Sequence, residues 1–214
     1  MGINEQFLSI EEQNRFRAFL RQSDKDLFLA AHYLKRWVIS NAIGKRAKTL
    51  EFKCTAYKKP HLSNRLLNFN LSHSGAWVAI AISQCYEVGI DVEQQHSRAV
   101  WQNVLPQIAS YDTILDSELR ALQQWTANEA TLKAIGTGFW ADASQVKLQR
   151  KEHNFRTTFQ KHNLLGAWKK VDARHLVAVA SMSMKARFCW HICKSTTLLQ
   201  SEILNMQCAY NPVE

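Results

Sequence analysis

The stretch Phe69–Glu93, FNLSHSGAWVAIAISQCYEVGIDVE, ends in two carboxylates one residue apart. Its last six residues, 88–93, are VGIDVE. In a strand, alternate side chains point to opposite faces, so the three aliphatic residues share one face, and Gly89, Asp91 and Glu93 share the other. Neighbouring carboxylates repel each other, so this pair is costly unless a cation lies between them. A hard divalent ion such as Mg2+ suits the pair, and the glycine leaves room for another group to approach.

A second acidic motif lies in residues 125–133, WTANEATLK. This segment contains good helix formers and neither glycine nor proline, so it predicts a helix. Trp125, Glu129 and Lys133 are spaced four apart and share one helix face. Taken alone, the Glu129–Lys133 pair is also typical of an exposed surface salt bridge. Likewise, the acids of residues 88–93 are compatible with the outward face of an edge strand, and only the combination of motifs favours a site.

Together the two motifs resemble the Sfp-type 4'-phosphopantetheinyl transferases. That family has a G-I/V-D-x-E segment followed, about forty residues on, by W-S/T-x-K-E-A/S-x-x-K. Here Asp91 and Glu129 are 129 − 91 = 38 positions apart. Upstream, Lys59-Pro60 resembles the family's G-K-P, and FNLSHSG at 69–75 resembles its F-N-x-S-H-S. The matches follow the family order from about Arg15 to about Gly138.

The resemblance implies a reaction. The family transfers the 4'-phosphopantetheine arm of coenzyme A to a serine of an apo acyl or peptidyl carrier protein and releases adenosine 3',5'-bisphosphate. The resemblance implies that Asp91, Glu93 and Glu129 hold a Mg2+ ion. This ion would neutralise the charge of the diphosphate. Glu129 is the implied base for the serine proton, and Lys133 the implied phosphate contact. The expected catalytic residues are therefore Glu129, Asp91 and Lys133.

The resemblance also implies residues that contact coenzyme A. A basic residue near the start of the chain meets the 3'-phosphate, and short hydroxyl side chains and a histidine meet the nucleotide. The expected set is Arg15, Arg17, Lys59, Ser72, His73 and Lys133.

Three positions depart from the family pattern. Asn128 replaces the lysine that precedes the base, Lys58 replaces the glycine of G-K-P, and His32 lies where an arginine is frequent. A lysine at 128 could not share the helix face of Glu129, so its loss need not abolish the chemistry, although it weakens the expected phosphate contact. Lys58 offers a charge in compensation. The alternative is a catalytically weakened member that binds coenzyme A or a carrier without turnover.

The chain contains a candidate internal repeat. Trp77–Ala81 (WVAIA) is matched by Leu176–Ala180 (LVAVA), 176 − 77 = 99 positions later. Upstream of each run, a helical pattern closes on the tripeptide Ala-Ile-Gly, at 42–44 and at 134–136. The glycines are suitable helix C-caps. Duplication explains these matches better than chance, although alanine and valine are common residues.

We therefore expect an α+β fold with two similar halves, 1–103 and 104–214, and a cleft between them. The first half would hold the coenzyme contacts and the first acidic pair. The second would hold the WTANEATLK helix and a second sheet. Predicted helices are Ile10–Leu20, Asp24–Ile43 with a cap at Ser23 or Asp24, and one starting near Asp116 or Ser117. Predicted strands include 49–55, 145–149 and 188–192, with a linker or short helix at 94–106 and a tail at 205–214.

Composition narrows the function class. The formal net charge is +9, from 27 Lys and Arg against 18 Asp and Glu, and the excess is spread along the chain. Such a charge suits an acidic carrier or a polyphosphate ligand, and solubility alone is the alternative. A nucleic-acid-binding protein is disfavoured, because the basic residues do not cluster with aromatic residues.

Five scattered cysteines predict buried free thiols in a reducing cytoplasm. A zinc site at Cys189 and Cys193 is disfavoured for want of a second ligand pair. No signal peptide or membrane-spanning run is visible in the sequence, so we expect a cytoplasmic protein. A duplicated chain can form its cleft within one subunit, so we expect a monomer.

Overall fold

The computed structural model describes residues 5–97, 100–101, 103–104 and 117–192. The α-helices that are described over their whole length are α1 (Ile10–Ala18), α2 (Gln22–Ile43) and α3 (Glu118–Ile135). The strands are β1 (Phe52–Cys54), β2 (Pro60–Leu62), β3 (Asn68–Ser74), β4 (Trp77–Ser83), β5 (Val88–Gln94), β6 (Lys147–Lys151), β7 (Asn154–Phe159), β8 (His162–Lys170) and β9 (His175–Ser181). Short 3-10 helices cover Glu5–Phe7, Ala47–Thr49, Gly138–Trp140 and Ala143–Gln145.

The strands form three antiparallel sheets. Two of them are pairs, β1-β2 and β3-β4, and the third has the order β5-β9-β8-β7-β6. In that sheet Asp91 of β5 lies opposite Ala178 of β9, so a strand from the first half of the chain completes the sheet of the second half. The α+β fold with two halves is confirmed. The boundary at residue 103 stays a prediction.

The helix ends follow local rules at most positions. Gly44 and Gly136 both adopt the left-handed conformation after α2 and α3, with φ of 66° and 90°, as predicted for C-caps. Ser117 caps the N-terminus of α3 by accepting a hydrogen bond from the Arg120 N–H. The predicted cap of α2 at Ser23 or Asp24 is wrong, because the helix begins two residues earlier, at Gln22. The Gln22 side chain donates to Asp26, four residues on, which stabilises that extra turn.

Some strand predictions need correction. The strand predicted at 49–55 is shorter, and the one predicted at 145–149 lies two residues further on. Residues 188–192 form no regular strand: Phe188 and Trp190 are half-buried against the sheet of β5 and β9, and that packing explains the alternating pattern. In the predicted linker or short helix at 94–106, residues 100, 101, 103 and 104 are helical. The tail at 205–214 lies outside the described residues.

The cysteine prediction is confirmed only in part. Cys54, Cys85 and Cys189 are free thiols, as expected, but all three are exposed and not buried. Cys54 ends an edge strand, Cys85 lies in the turn after β4, and Cys189 lies on the outward side of the 188–192 segment.

No helix in the described parts of the chain is long and apolar enough to cross a membrane.

Helix α3 lies directly against β5 and β9. The contact is close because Ala127, Ala130 and Ala134 are fully buried along one stripe of the helix. At Gly89 the two backbones meet: a Cβ there would collide with the Ala130 carbonyl oxygen and the Ala134 nitrogen. The sequence predicted that this glycine leaves room for another group to approach. In the structure, that group is the backbone of helix α3.

A buried ion cluster holds the first half together. Glu12 of α1 accepts hydrogen bonds from Lys35 at 2.9 Å and from Arg36 at 2.8 and 3.0 Å, and His32 Nδ1 lies 2.8 Å from its carboxylate. Arg36 also donates to the carbonyl of Leu50. Burial acts to raise the pKa of Glu12, but the hydrogen bond from His32 and the charge of Lys35 outweigh it, so the pKa lies well below the ordinary value.

Gly89→Ala is expected to lower the free energy of unfolding by about 3 kcal/mol, because the new methyl group meets helix backbone that cannot rotate aside. Urea denaturation would measure the loss. The matched control is Gly44→Ala, where a Cβ would contact nothing within 4 Å. There only the left-handed backbone is penalised, by about 1 kcal/mol. Equal losses in the two variants would contradict the close α3–β5 contact.

Glu12→Gln is expected to destabilise the protein by about 3 kcal/mol, because Lys35 and Arg36 would stay buried without a counter-charge. Urea denaturation at neutral pH would measure the change. Glu11→Gln, at the exposed neighbouring position on α1, is the control and should be close to neutral.

The same carboxylate gives a pH dependence. Because the folded-state pKa of Glu12 is depressed, its stabilisation is present above the unfolded pKa of about 4.3 and is lost as the pH falls below that value. The difference in stability between wild type and Glu12→Gln should therefore shrink on acidification. A difference that stayed constant down to low pH would contradict the depressed pKa.

Candidate active site

Polar side chains of β3 face the free edge of β5. Asn70, Ser72 and Ser74 alternate along β3 and so share one face. The Ile90 N–H donates to Asn70 Oδ1 at 3.0 Å, and the Val92 N–H donates to Ser72 Oγ at 3.3 Å. Side chains of the first half thereby satisfy backbone donors of the second half's sheet. Sequence reasoning missed this role of Asn70, although the alternation in NLSHS carried the signal.

Asp91 is the deep acid of the site. Its Oδ1 accepts hydrogen bonds from Ser72 Oγ at 2.9 Å and from Lys133 Nζ at 2.6 Å. Its Oδ2 is buried and has no hydrogen-bond partner among the described residues. Burial raises the pKa of Asp91 above its ordinary value, although Lys133 and Ser72 act to lower it. One carboxylate oxygen is thus satisfied and the other is left for a further partner.

Glu93 lies nearer to solvent than Asp91. Its side chain is 26% exposed, whereas that of Asp91 is 7% exposed. Glu93 Oε1 accepts from Ser74 Oγ at 2.6 Å and from the Gln94 N–H at 2.8 Å. The acidic pair therefore runs from a buried end to an open end, as a site for an entering ligand requires.

Helix α3 supplies the other two charged groups. Glu129 is buried, and Lys133, one turn further along, is partly exposed and also lies 3.2 Å from Ser72 Oγ. Burial raises the pKa of Glu129 to about 7; the negative charges of Asp91 and Glu93 add to this, and Lys133 opposes it. A carboxyl group with such a pKa can exchange a proton near neutral pH. The structure therefore brings the two acids of β5 close enough to the two charged residues of α3 for their charges to interact.

The donor set fits a hard cation. Within residues 5–97 and 117–192, no three His, Cys, Asp or Glu side chains are already gathered as a metal site. However, Asp91 Oδ2 is buried without a partner among the described residues, and burial, with the charges of Asp91 and Glu93, disfavours the ionised form of Glu129. A cation bound there would stabilise both carboxylates. Carboxylate oxygens are the ligands that Mg2+ prefers. The assignment of individual ligands stays a prediction.

Lys59 joins the two halves beside the site. Its ammonium donates to Glu87 at 2.6 Å and to the Ala134 carbonyl, in the last turn of α3, at 2.9 Å. A cation at that position suits the negative end of the helix dipole. Next to Lys59 lies a cavity of about 190 Å³, which Arg65 and Gly136 help to line. The contact of Lys59 with coenzyme A stays a prediction.

The remaining predicted coenzyme residues lie apart from the acids. His73 is exposed and falls on the opposite face of β3 from Ser72. Arg17 pairs with Glu5 at 2.9 Å on the surface, and the Arg15 guanidinium lies 5.6 Å from the centre of the Phe28 ring. Ser72 and Lys133 belong to the acidic cluster itself. The structure thus gathers part of the predicted set, and the roles of Arg15, Arg17 and His73 stay predictions.

Two of the three departures from the family pattern, Lys58 and Asn128, have distinctive local environments. Lys58 has φ of 62°, in the left-handed region that favours glycine, and the family has a glycine at that position. Asn128 is fully buried and donates to the Ala143 carbonyl at 2.9 Å. It also accepts from Gln124, which in turn accepts from Arg150. Asn128 therefore connects α3 to the 3-10 helix Ala143–Gln145.

Comparisons with known proteins find several similar chains. A Synechocystis sp. relative is 30% identical over 150 residues, which are 65% of this chain and 61% of that protein. The 4'-phosphopantetheinyl transferase HetI of Nostoc sp. is 26% identical over 86% of this chain and 83% of its own length. The Bacillus subtilis transferase Sfp is 33% identical over 89 residues, 41% of this chain and 39% of Sfp. The chain thus spans less than two thirds of the Synechocystis relative.

Two family models match consecutive parts of the chain. The N-terminal model of the 4'-phosphopantetheinyl transferases matches residues 3–85, and the model of the 4'-phosphopantetheinyl transferase superfamily matches residues 87–180. Their junction falls between β4 and β5, where the chain passes from the first group of strands into the five-stranded sheet. The chain therefore belongs to the 4'-phosphopantetheinyl transferase superfamily.

Proposed function

We propose that this protein is a Mg2+-dependent 4'-phosphopantetheinyl transferase. It transfers the phosphopantetheine arm of coenzyme A to a serine of an apo acyl or peptidyl carrier protein and releases adenosine 3',5'-bisphosphate. The observation that carries the proposal is the cluster of Asp91, Glu93, Glu129 and Lys133 at the junction of β3, β5 and α3. Three acids and one lysine are assembled where the two halves meet, which suits a charged diphosphate.

Asp91, Glu93 and Glu129 are the proposed ligands of Mg2+. The unsatisfied Asp91 Oδ2 and the 26% exposure of Glu93 support this assignment, since the first needs a partner and the second is reachable. When bound, Mg2+ would neutralise charge on the diphosphate and on the leaving group. Ser72 and Ser74 each donate to one of these carboxylates and so orient it.

Glu129 and Lys133 are the proposed catalytic groups of α3. Glu129 accepts the proton of the attacking serine hydroxyl, and its pKa of about 7 suits that transfer near neutral pH. The serine oxygen then bonds to the phosphorus that carries the pantetheine arm, and the bond from that phosphorus to the nucleotide oxygen breaks. The Lys133 side chain, 22% exposed, is the proposed contact to the phosphates, and its ammonium favours the ionised form of Asp91 when the ligand is absent.

The coenzyme is proposed to contact Arg15, Arg17, Lys59, Ser72, His73 and Lys133. The cavity beside Lys59 supports this in part, because it is lined by two cationic side chains, Lys59 and Arg65, next to the C-terminus of α3. The carrier partner follows from the family resemblance and from the net charge of +9, which favours an acidic protein. A cytoplasmic monomer completes the proposal.

The test is a mass measurement. The chain is incubated with coenzyme A, Mg2+ and a panel of apo acyl and peptidyl carrier proteins, and the carriers are then weighed. We expect at least one carrier to gain a phosphopantetheine group. Asp91→Asn should abolish the gain because the deepest carboxylate is lost, and Glu152→Gln, in the exposed β6–β7 turn, should leave it intact. Coenzyme A binding without any mass gain would favour the catalytically weakened alternative.

Glu129→Gln is expected to lower kcat by roughly 10²- to 10⁴-fold, the usual contribution of a general base, and to leave the affinity for coenzyme A nearly unchanged. Single-turnover kinetics at saturating Mg2+ and calorimetric titration with coenzyme A would separate the two quantities. Glu118→Gln, in the first turn of the same helix, is the control. Equal losses in turnover and in affinity would make Glu129 a ligand holder and not a base.

A further inference from the structure

The tip of the β3–β4 hairpin carries one of the residues that orient the acids. Ser74 lies directly opposite Trp77, so the two close the hairpin around a two-residue turn. Gly75 in that turn has φ of 56°, which the tight connection requires. Because directly opposite residues of a hairpin interact, a displacement of Trp77 is expected to displace Ser74 as well. Ser74 in turn donates at 2.6 Å to Glu93.

Trp77 is tied to the opposite half of the chain. Its indole Nε1–H donates to Asp172 Oδ2 at 2.8 Å, in the turn between β8 and β9. Asp172 is itself held firmly, since it accepts from the backbone N–H groups of Arg174 and His175 at 2.7 Å and lies 2.9 Å from His175 Nδ1. These hydrogen bonds, that of Arg174 foremost, keep the pKa of Asp172 low, so it remains an ionised acceptor.

The turn that holds Asp172 is fastened to the same end of β5 that carries Glu93. His175 lies opposite Gln94 in the β5–β9 pairing, and the Gln95 N–H donates to the Arg174 carbonyl at 2.7 Å. The His175 ring also lies against Gly75, where an added Cβ would come within 3.1 Å of Nε2. The hairpin tip is therefore seated tightly on this turn.

We propose that Trp77, Asp172 and His175, the hairpin latch, position Ser74 and thereby Glu93 for ligand binding; this rests on the function proposed above. A two-stranded hairpin is marginal by itself and needs tertiary contacts to keep one geometry. Further down β3, Asn70 and Ser72 bond the edge of β5 directly. At the tip, the latch adds the cross-half contacts that hold Ser74 in place. Its members are positioning residues and touch no reacting group.

Hydrogen exchange tests the latch without metal, coenzyme or carrier. Trp77→Phe removes the indole donor and keeps an aromatic ring, and Asp172→Asn keeps the shape and removes the charge. In both variants, the amides of residues 72–79 should exchange at least about tenfold faster than in wild type, while those of β7 stay unchanged. The matched control is Trp140→Phe, at a tryptophan that is 77% exposed and should alter neither segment.

A second measurement separates positioning from a merely structural role. Both latch variants should bind Mn2+, a probe for the carboxylate site, about tenfold more weakly by calorimetry, as for loss of a group that orients a metal ligand. The Mg2+ concentration for half-maximal transfer should rise by a similar factor, with the KM for the carrier unchanged. Wild-type exchange in both variants, or faster exchange with unchanged Mn2+ affinity, would overturn the latch. A wild-type chain that modifies no carrier would instead overturn the proposed function.

Discussion

The arrangement of the site depends on one close contact, the approach of the α3 backbone to β5 at Gly89. Only a residue without a Cβ allows the Ala130 carbonyl and the Ala134 nitrogen to come so near the strand. Because the helix lies there, Glu129 and Lys133 face the carboxylate of Asp91 and do not project into solvent. A conformational requirement of the backbone thus decides where the charges meet.

Three neighbouring carboxylates repel one another, and nearby hydrogen-bond donors reduce that cost. Lys133 and Ser72 neutralise and orient one oxygen of Asp91, and Ser74 orients Glu93. The balance is incomplete, since burial still raises the pKa of Asp91 and raises that of Glu129 to about 7. A cation bound there would stabilise the ionised form of both carboxylates, which is the physical basis for binding one.

The two halves of the chain share a sheet and several hydrogen bonds, which two independently folded repeats would not. Strand β5 completes the sheet of the second half, and side chains of β3 bond to its free edge. Lys59 reaches from the first half to the last turn of α3, and Trp77 reaches to Asp172. The first half has its own stabilising cluster around the buried Glu12. Each half therefore contributes backbone or side-chain partners that the other lacks.

Periodicity and motif residues predicted a strand over residues 88–93, the helix with Glu129 and Lys133, and the family, because such patterns are visible without knowing which elements meet in the fold. It did not reveal that Asn70 bonds the β5 edge, that Lys59 bridges the halves, or that residues 188–192 pack without pairing. Local pattern says which face of an element is polar. Which partner meets that face depends on contacts between residues far apart in the chain, and these contacts form only when the chain folds.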